Sequence, residues 1–239
     1  MLDQGLLLSI ATVVGVAWLA ARWVPPLVPS VAQGGAWSPG DTIDVLLGAA
    51  MAGVLAGRVA AVLLDDPESL RSLSAFLIIR GGVEMWPGAV VAALVAGVSL
   101  HRRSAPVLGG FAALSPVVLV AYAGFEATCL VREGCYGPSS ALGLRPDGLA
   151  TTMVPSGVIV AIVLVLVAAH IARHPSQPDL MRVALAVTAV AASRSISSIW
   201  LPRIGDHPTR QHLGSIMVAV LGSVALLLSR ARSRPSAAP

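Results

Sequence analysis

The chain has 239 residues, 56% of them apolar and 12% charged, with 16 basic residues against 12 acidic ones for a formal charge of +4. Soluble globular domains carry about 25% charged residues, so this chain lacks the polar surface to cover itself with, and a lipid bilayer is its natural solvent. The basic residues are all arginine and lie scattered between apolar runs rather than gathered on one soluble face, which argues against a nucleic-acid partner.

A helix crosses the hydrocarbon core of a bilayer in roughly 20 residues. Apolar runs of that kind are predicted to be helical at about 5–24, 42–64, 86–100, 107–128, 153–171, 180–200 and 211–228. The expected fold is therefore all-α and polytopic, about seven transmembrane helices in one domain over residues 1–228. The opening "MLDQG" carries an acid and no base, unlike the basic start of a signal peptide, so the first run reads as a retained span. The third run is short, and "GGVEMWPG" before it could hold a re-entrant turn, which is allowed at membrane depth only where protein or a cavity covers it. Between the second and third runs, "DDPESLRSLSAFLIIRGG" is amphipathic and suits the membrane interface. The tail, 229–239, is polar and proline-bearing and is expected to be disordered. No internal repeat at a fixed period is evident.

Arginine counts in the loops set the orientation. With the N-terminus outside and the C-terminus cytoplasmic, the inner side receives Arg22, Arg102, Arg103, Arg173, Arg182 and the three tail arginines. The outer side receives Arg71, Arg80, Arg132, Arg145, Arg203 and Arg210, diluted by Asp65, Asp66, Glu68, Glu84, Glu133, Asp147 and Asp206. The outer side then also carries "CLVREGCYG", 129–137, an ionic, thiol-bearing stretch that contrasts with the apolar runs around it.

Arg58, Glu126 and Arg194 fall within predicted spans. Each ionised group near the middle of a bilayer costs roughly 2.5–3.5 kcal/mol on insertion scales, so such residues face the protein interior, pair, or line a wet cavity. A structural ion pair of Glu126 with an arginine would explain any one of them. As a set, Arg58, Arg80, Arg132 and Arg194 outnumber Glu84, Glu126 and Glu133, and an anion would balance the surplus. In a membrane the abundant anion is lipid phosphate, which arginine binds bidentately.

Six strings carry a resemblance: "GRVAAVL" at 57–63, "RGGVEMWPGAVVAAL" at 80–94, "FEATCLVREGCYGPSS" at 125–140, "TTMVPSGV" at 151–158, "SRSISSIW" at 193–200 and "RQHLGSIMVAVLG" at 210–222. In this order they resemble the prolipoprotein diacylglyceryl transferase family over about residues 5–228. The resemblance implies a seven-span enzyme of the bacterial cytoplasmic (inner) membrane, with its N-terminus outside. Such an enzyme moves a diacylglyceryl group from phosphatidylglycerol to the lipobox cysteine thiol of a preprolipoprotein, and glycerol phosphate leaves. It implies no metal and no soluble cofactor.

The same resemblance marks departures. The family's signature arginine falls on Glu126, the asparagine three residues on falls on Cys129, and the signature glutamate falls on Gly134 with Glu133 beside it. The histidine after the double glycine falls on Trp86, and a later glutamate falls on Ser198. Arg58, Gly81, Gly82, Gly137, Arg194 and Gln211 match. Arg132 could replace the signature arginine on phosphate, and Glu84 or Glu133 could act as base. The site expected from all this has Arg194, Arg132, Glu133 and Glu84 as catalytic groups. Arg58, Arg80, Gly81, Gly82, Trp86, Glu126, Tyr136 and Gly137 would hold substrate.

Two features leave alternatives open. Cys129 and Cys135, six apart on the oxidising side, could form a disulfide, pack as inert thiols or include a reactive thiol; two cysteines without a nearby histidine fall short of a metal site. His101, His170 and His174 lie by inner-side arginines and read as interfacial, whereas His207 or His212, flanking the last outer loop, could accept a proton near the site. Two readings compete with the transferase. One is a non-catalytic relative that binds anionic phospholipid or lipoprotein precursors, favoured by the missing arginine and histidine. The other is a small transporter, disfavoured because the ionic residues gather toward one face rather than the midplane.

Overall fold

The computed structural model describes residues 4–23, 37–65, 67–68, 83–132, 135–145, 150–199 and 209–232. Seven of its helices are long and apolar enough to cross a membrane. They are α1 (Gln4–Trp23), α2 (Pro39–Asp65), α3 (Met85–Arg102), α4 (Val107–Ala127), α5 (Ser156–Arg173), α6 (Asp179–Ser197) and α7 (Arg210–Arg232). Each predicted apolar run has become one helix, and the chain is an all-α, multi-pass membrane protein. A 3-10 turn, Thr128–Arg132, follows α4, and a short strand, β1 (Ser139–Leu144), lies between that turn and α5.

Two local expectations change. Met85, Trp86 and Pro87 form the first turn of α3 rather than a re-entrant turn, because proline's fixed φ and missing N–H suit the start of a helix. At the other end α7 continues to Arg232, so residues 229–232 of the expected tail are helical. The interfacial segment between α2 and α3 lies almost wholly outside the described residues, as do Arg80, Gly81, Gly82, Glu133, Gly134 and His207.

The outer faces of the helices are apolar. Leu94, Leu166, Leu221 and Leu227 are each more than 60% exposed. Among lipid tails this exposure carries no hydrophobic penalty, and helices associate there through close packing and polar contacts instead.

The helices group into two compact units, one with α2 and α3, the other with α1 and α4–α7. In the first unit, α2 and α3 approach at backbone distance through Gly53, Gly57 and Gly88. The Glu84 N–H donates to the Gly57 carbonyl at 3.0 Å, tying the start of α3 to the middle of α2. Ser38 and Asp41 cap α2 reciprocally: the Ser38 N–H and hydroxyl donate to the Asp41 carboxylate at 2.9 and 2.6 Å, and the Asp41 N–H donates to Ser38 Oγ at 3.1 Å. This is a capping box with an acid at its third helical position. Arg103, just past α3, pairs with Asp41, lies 3.6 Å from Asp44, and covers the Trp37 ring.

In the second unit, Val160, Ala161, Leu164, Ala168 and Ile171 recur at helical spacing and bury one face of α5 against Leu119 and Ala123 of α4 and Ala186 of α6. α6 packs along α7, and α1 and α5 both meet the 3-10 turn after α4. Pro116 stands inside α4, next to Ser115, whose hydroxyl donates to the Phe111 carbonyl at 2.7 Å.

A Cβ on Gly57 would sit 2.5 Å from Val83 Cγ1 and 2.6 Å from the Glu84 carbonyl oxygen, and one on Gly88 would sit 2.6 Å from the Gly53 carbonyl oxygen. Gly57→Ala and Gly88→Ala should each destabilise the α2–α3 pair by about 1–3 kcal/mol, the usual cost of overpacking. Gly48→Ala, where a Cβ meets nothing within 4 Å, should be neutral or stabilising. Thermal unfolding of the three variants in detergent measures this order.

Candidate functional site

The end of α4 builds the centre of the second unit. The last carbonyls of a helix have no intrahelical donor, and here side chains supply them. The Thr128 hydroxyl shares its one proton between the Gly124 and Phe125 carbonyls, 3.0 Å from each, and Arg132 Nη2 donates to the Phe125 carbonyl at 2.9 Å. The 3-10 turn therefore folds Arg132 back by a full turn. Its guanidinium lies 3.9 Å from the centroid of the Phe125 ring, a cation–π contact that strengthens when desolvated. Phe125 in turn stacks on Tyr122, with ring centroids 6.3 Å apart.

Beside this stack, Glu126 is buried, 2% exposed. Arg194 of α6 reaches across to it, Nη1 to Oε1 at 3.2 Å. The Tyr122 phenol, one helical turn before Glu126, lies within the field of Glu126, Arg194 and Arg132. Glu126 thus pairs with Arg194, while Arg132 is held on the neighbouring Phe125. The Nε–H groups of both Arg132 and Arg194 are buried and find no acceptor among the described residues. A buried donor without a partner costs about 1–3 kcal/mol, so each of the two arginines is one acceptor short.

The wall of the cluster is a disulfide. Cys129 and Cys135 are bonded, Cα to Cα 5.8 Å, and there are no free thiols. The alternatives of inert or reactive thiols are thereby resolved, and neither sulfur is a thiolate ligand. Closing so short a loop removes about 2 kcal/mol of unfolded-state freedom. Cys135 has φ of 59°, a left-handed conformation that L-residues rarely adopt. Its carbonyl accepts from Ser156 Oγ and from the Gly157 N–H, 3.3 Å away, at the start of α5. Gly157 presses onto the cluster: a Cβ there would lie 2.6 Å from the Glu126 carbonyl oxygen and 3.3 Å from each cysteine Cβ. Beyond the disulfide, Tyr136 is half-buried and the buried Gly137 donates its N–H to the Val154 carbonyl at 2.7 Å.

The sequence-derived candidates divide between the units. Glu126, Arg132 and Arg194 come together, with Tyr136 and Gly137 following the disulfide. Arg58, 8% exposed in α2, Glu84 at the N-terminal boundary of α3 and Trp86 in its first turn belong to the other unit. Arg80, Gly81, Gly82 and Glu133 lie outside the described residues. Sequence reasoning missed Tyr122, although its spacing of four from Glu126 places both on one helix face. It also missed Phe125 as the platform for Arg132, and Ser198, whose hydroxyl contacts His212 Nδ1.

The chain matches the model of the prolipoprotein diacylglyceryl transferase family over residues 4–230, nearly its whole length. It belongs to that family. No match is found among curated proteins. Membership makes the chain a transferase-family protein of lipoprotein biosynthesis, a family that acts on lipid and preprolipoprotein substrates within a membrane. Diacylglyceryl transfer to prolipoproteins is the family's chemistry. Within this family member, Glu126 pairs with Arg194, one of the arginines that the sequence singled out.

Breaking a buried ion pair by removing one partner is costly. Glu126→Gln should lower stability by on the order of 3 kcal/mol, and Glu126→Gln combined with Arg194→Gln should recover part of that loss. A double-mutant cycle on thermal unfolding in detergent reads the coupling. For the disulfide, maleimide should label the denatured chain only after reduction, at both Cys129 and Cys135; labelling without reductant would contradict the bond.

Proposed function

We propose that this chain transfers the diacylglyceryl group of phosphatidylglycerol to the lipobox cysteine thiol of preprolipoproteins. The reaction would take place at the outer face of a bacterial cytoplasmic membrane, with the N-terminus outside and the C-terminus cytoplasmic. The observation that carries the reading is the surplus of guanidinium over carboxylate around Glu126, together with the two buried, unpartnered Nε–H donors of Arg132 and Arg194. A phosphate diester with its non-bridging oxygens would satisfy both. Arginine suits this role because its planar fork matches phosphate oxygens and its charge is permanent.

The reaction follows from those groups. The substrate thiol has a pKa near 8.5 when free, and neighbouring arginines lower it. Its thiolate attacks the glyceryl carbon bound to phosphate. The sulfur–carbon bond forms, the carbon–oxygen bond breaks, and glycerol phosphate departs with the electron pair. Fixed cations in a site shielded from water stabilise the charge that gathers on the leaving phosphate. Arg132 takes the place of the family's signature arginine, and Arg194 holds the second phosphate oxygen. The nucleophile arrives on the substrate, so no cysteine of the enzyme needs to be free.

One observation favours a second reading. Glu126 already neutralises much of Arg194, as it would in a relative that binds anionic phospholipid or lipoprotein precursors without turnover.

Complementation separates the two. In a host depleted of its own transferase, the chain should restore lipoprotein modification. Arg194→Ala and Arg132→Ala should each reduce transfer by about 100-fold or more, the usual loss on removing a charge-stabilising donor. Arg173→Ala, exposed at the far end of α5, should leave it unchanged. Good expression without rescue, coupled with retained binding to phosphatidylglycerol vesicles, would establish the binder instead.

A further inference from the structure

The end of α6 meets the start of α7 through a serine–histidine contact. Ser198, 6% exposed, follows the last residue of α6, and its N–H donates to the Arg194 carbonyl at 3.0 Å. Its hydroxyl touches two groups, the Ser195 carbonyl at 3.0 Å and His212 Nδ1. A hydroxyl has one proton and a carbonyl can only accept. The hydroxyl proton goes to the Ser195 carbonyl. The Ser198 oxygen then accepts from His212, which assigns the ring proton to Nδ1 and leaves the lone pair on Nε2. Among the described residues nothing bonds Nε2.

The backbone at His212 is anchored as well. Thr209 precedes α7 and its Oγ1 accepts the His212 N–H at 3.2 Å, the standard N-cap bond to the third helical residue. His212 is half-buried. Ser198 lies four residues past Arg194, on the same face of α6 and about one 5.4 Å pitch along it. Arg194 is the residue that holds Glu126. The serine that the imidazole contacts therefore stands one turn from Arg194, and the basic nitrogen of the ring is unengaged among the described residues.

We infer that His212, oriented by Ser198, is the proton acceptor of the transfer reaction, an assignment that rests on the function proposed above. The thiol proton passes to Nε2 as sulfur bonds to the glyceryl carbon. The carbon–oxygen bond to phosphate breaks, glycerol phosphate carries away the electron pair, and the imidazolium then releases its proton to water at the outer face. Ser198 is a positioning residue: it sets the tautomer and touches no substrate.

The test uses the purified full chain in detergent with phosphatidylglycerol and a lipobox peptide. His212→Ala should lower kcat by about 100-fold or more, within the range for a general base, and added imidazole should restore part of it. Ser198→Ala should lower kcat with KM little changed, while Ser198→Thr, which keeps the hydroxyl, should retain activity. Side-chain ¹⁵N signals of His212 should report the Nδ1–H tautomer in the unaltered chain and a mixture in Ser198→Ala. A His212→Ala variant that works normally, or that fails without imidazole rescue, overturns the inference and leaves the proposed function standing. So does loss of kcat in Glu133→Gln or Glu84→Gln with His212→Ala unaffected. If the unaltered chain transfers nothing, the proposed function itself falls, and the role of His212 with it.

Discussion

The second unit is organised by an almost fully buried carboxylate paired with an arginine, next to a residue whose carbonyl and ring hold a second arginine. Taking one such group out of water costs several kcal/mol, and its partners repay that only with good geometry and satisfied hydrogen bonds. Glu126 finds its partner in Arg194 at 3.2 Å. The hydrogen bonds of the arginines are not all satisfied, since each keeps a buried Nε–H without an acceptor. An ion pair that is complete on its acidic side and incomplete on its basic side is electrostatically directional: it has no further need of cation and a remaining need of anion.

The local backbone supports this arrangement from three directions. The 3-10 turn returns Arg132 to the level of Phe125, the disulfide closes the loop behind it, and Gly157 brings the start of α5 onto the Glu126 carbonyl. Arg132 thereby occupies the neighbourhood of a residue six positions earlier in the chain.

Much of this was legible in the sequence, and the reasons are physical. Helix existence follows from apolar length, so the seven spans could be read directly, with boundaries shifting by a few residues where capping groups such as Ser38 and Asp41 decide the end. The family could be read because its strings keep their order along the chain. The pairing of Glu126 with Arg194 was open to inference, because a lone carboxylate in a span must find a cation. The fold-back of Arg132 was not, because it depends on which carbonyls α4 leaves unsatisfied. Nor was the disulfide fixed by a spacing of six, which equally suits two packed thiols. The contact of Ser198 with His212 was hidden for a different reason: it joins a helix end to the next helix start, and no periodicity marks it.

Arg103 carries a consequence of another kind. In the folded chain it is held between Asp41 and Asp44 and over Trp37. Membrane insertion reads arginines near span ends and largely ignores acids, so during synthesis the same side chain acts at full strength on orientation. Once α2 and α3 meet, the residue ceases to be a topological signal and becomes a clasp between them. Its instruction to the insertion machinery is spent in the act of folding, and a later reversal of α3 would have to unfasten that clasp first.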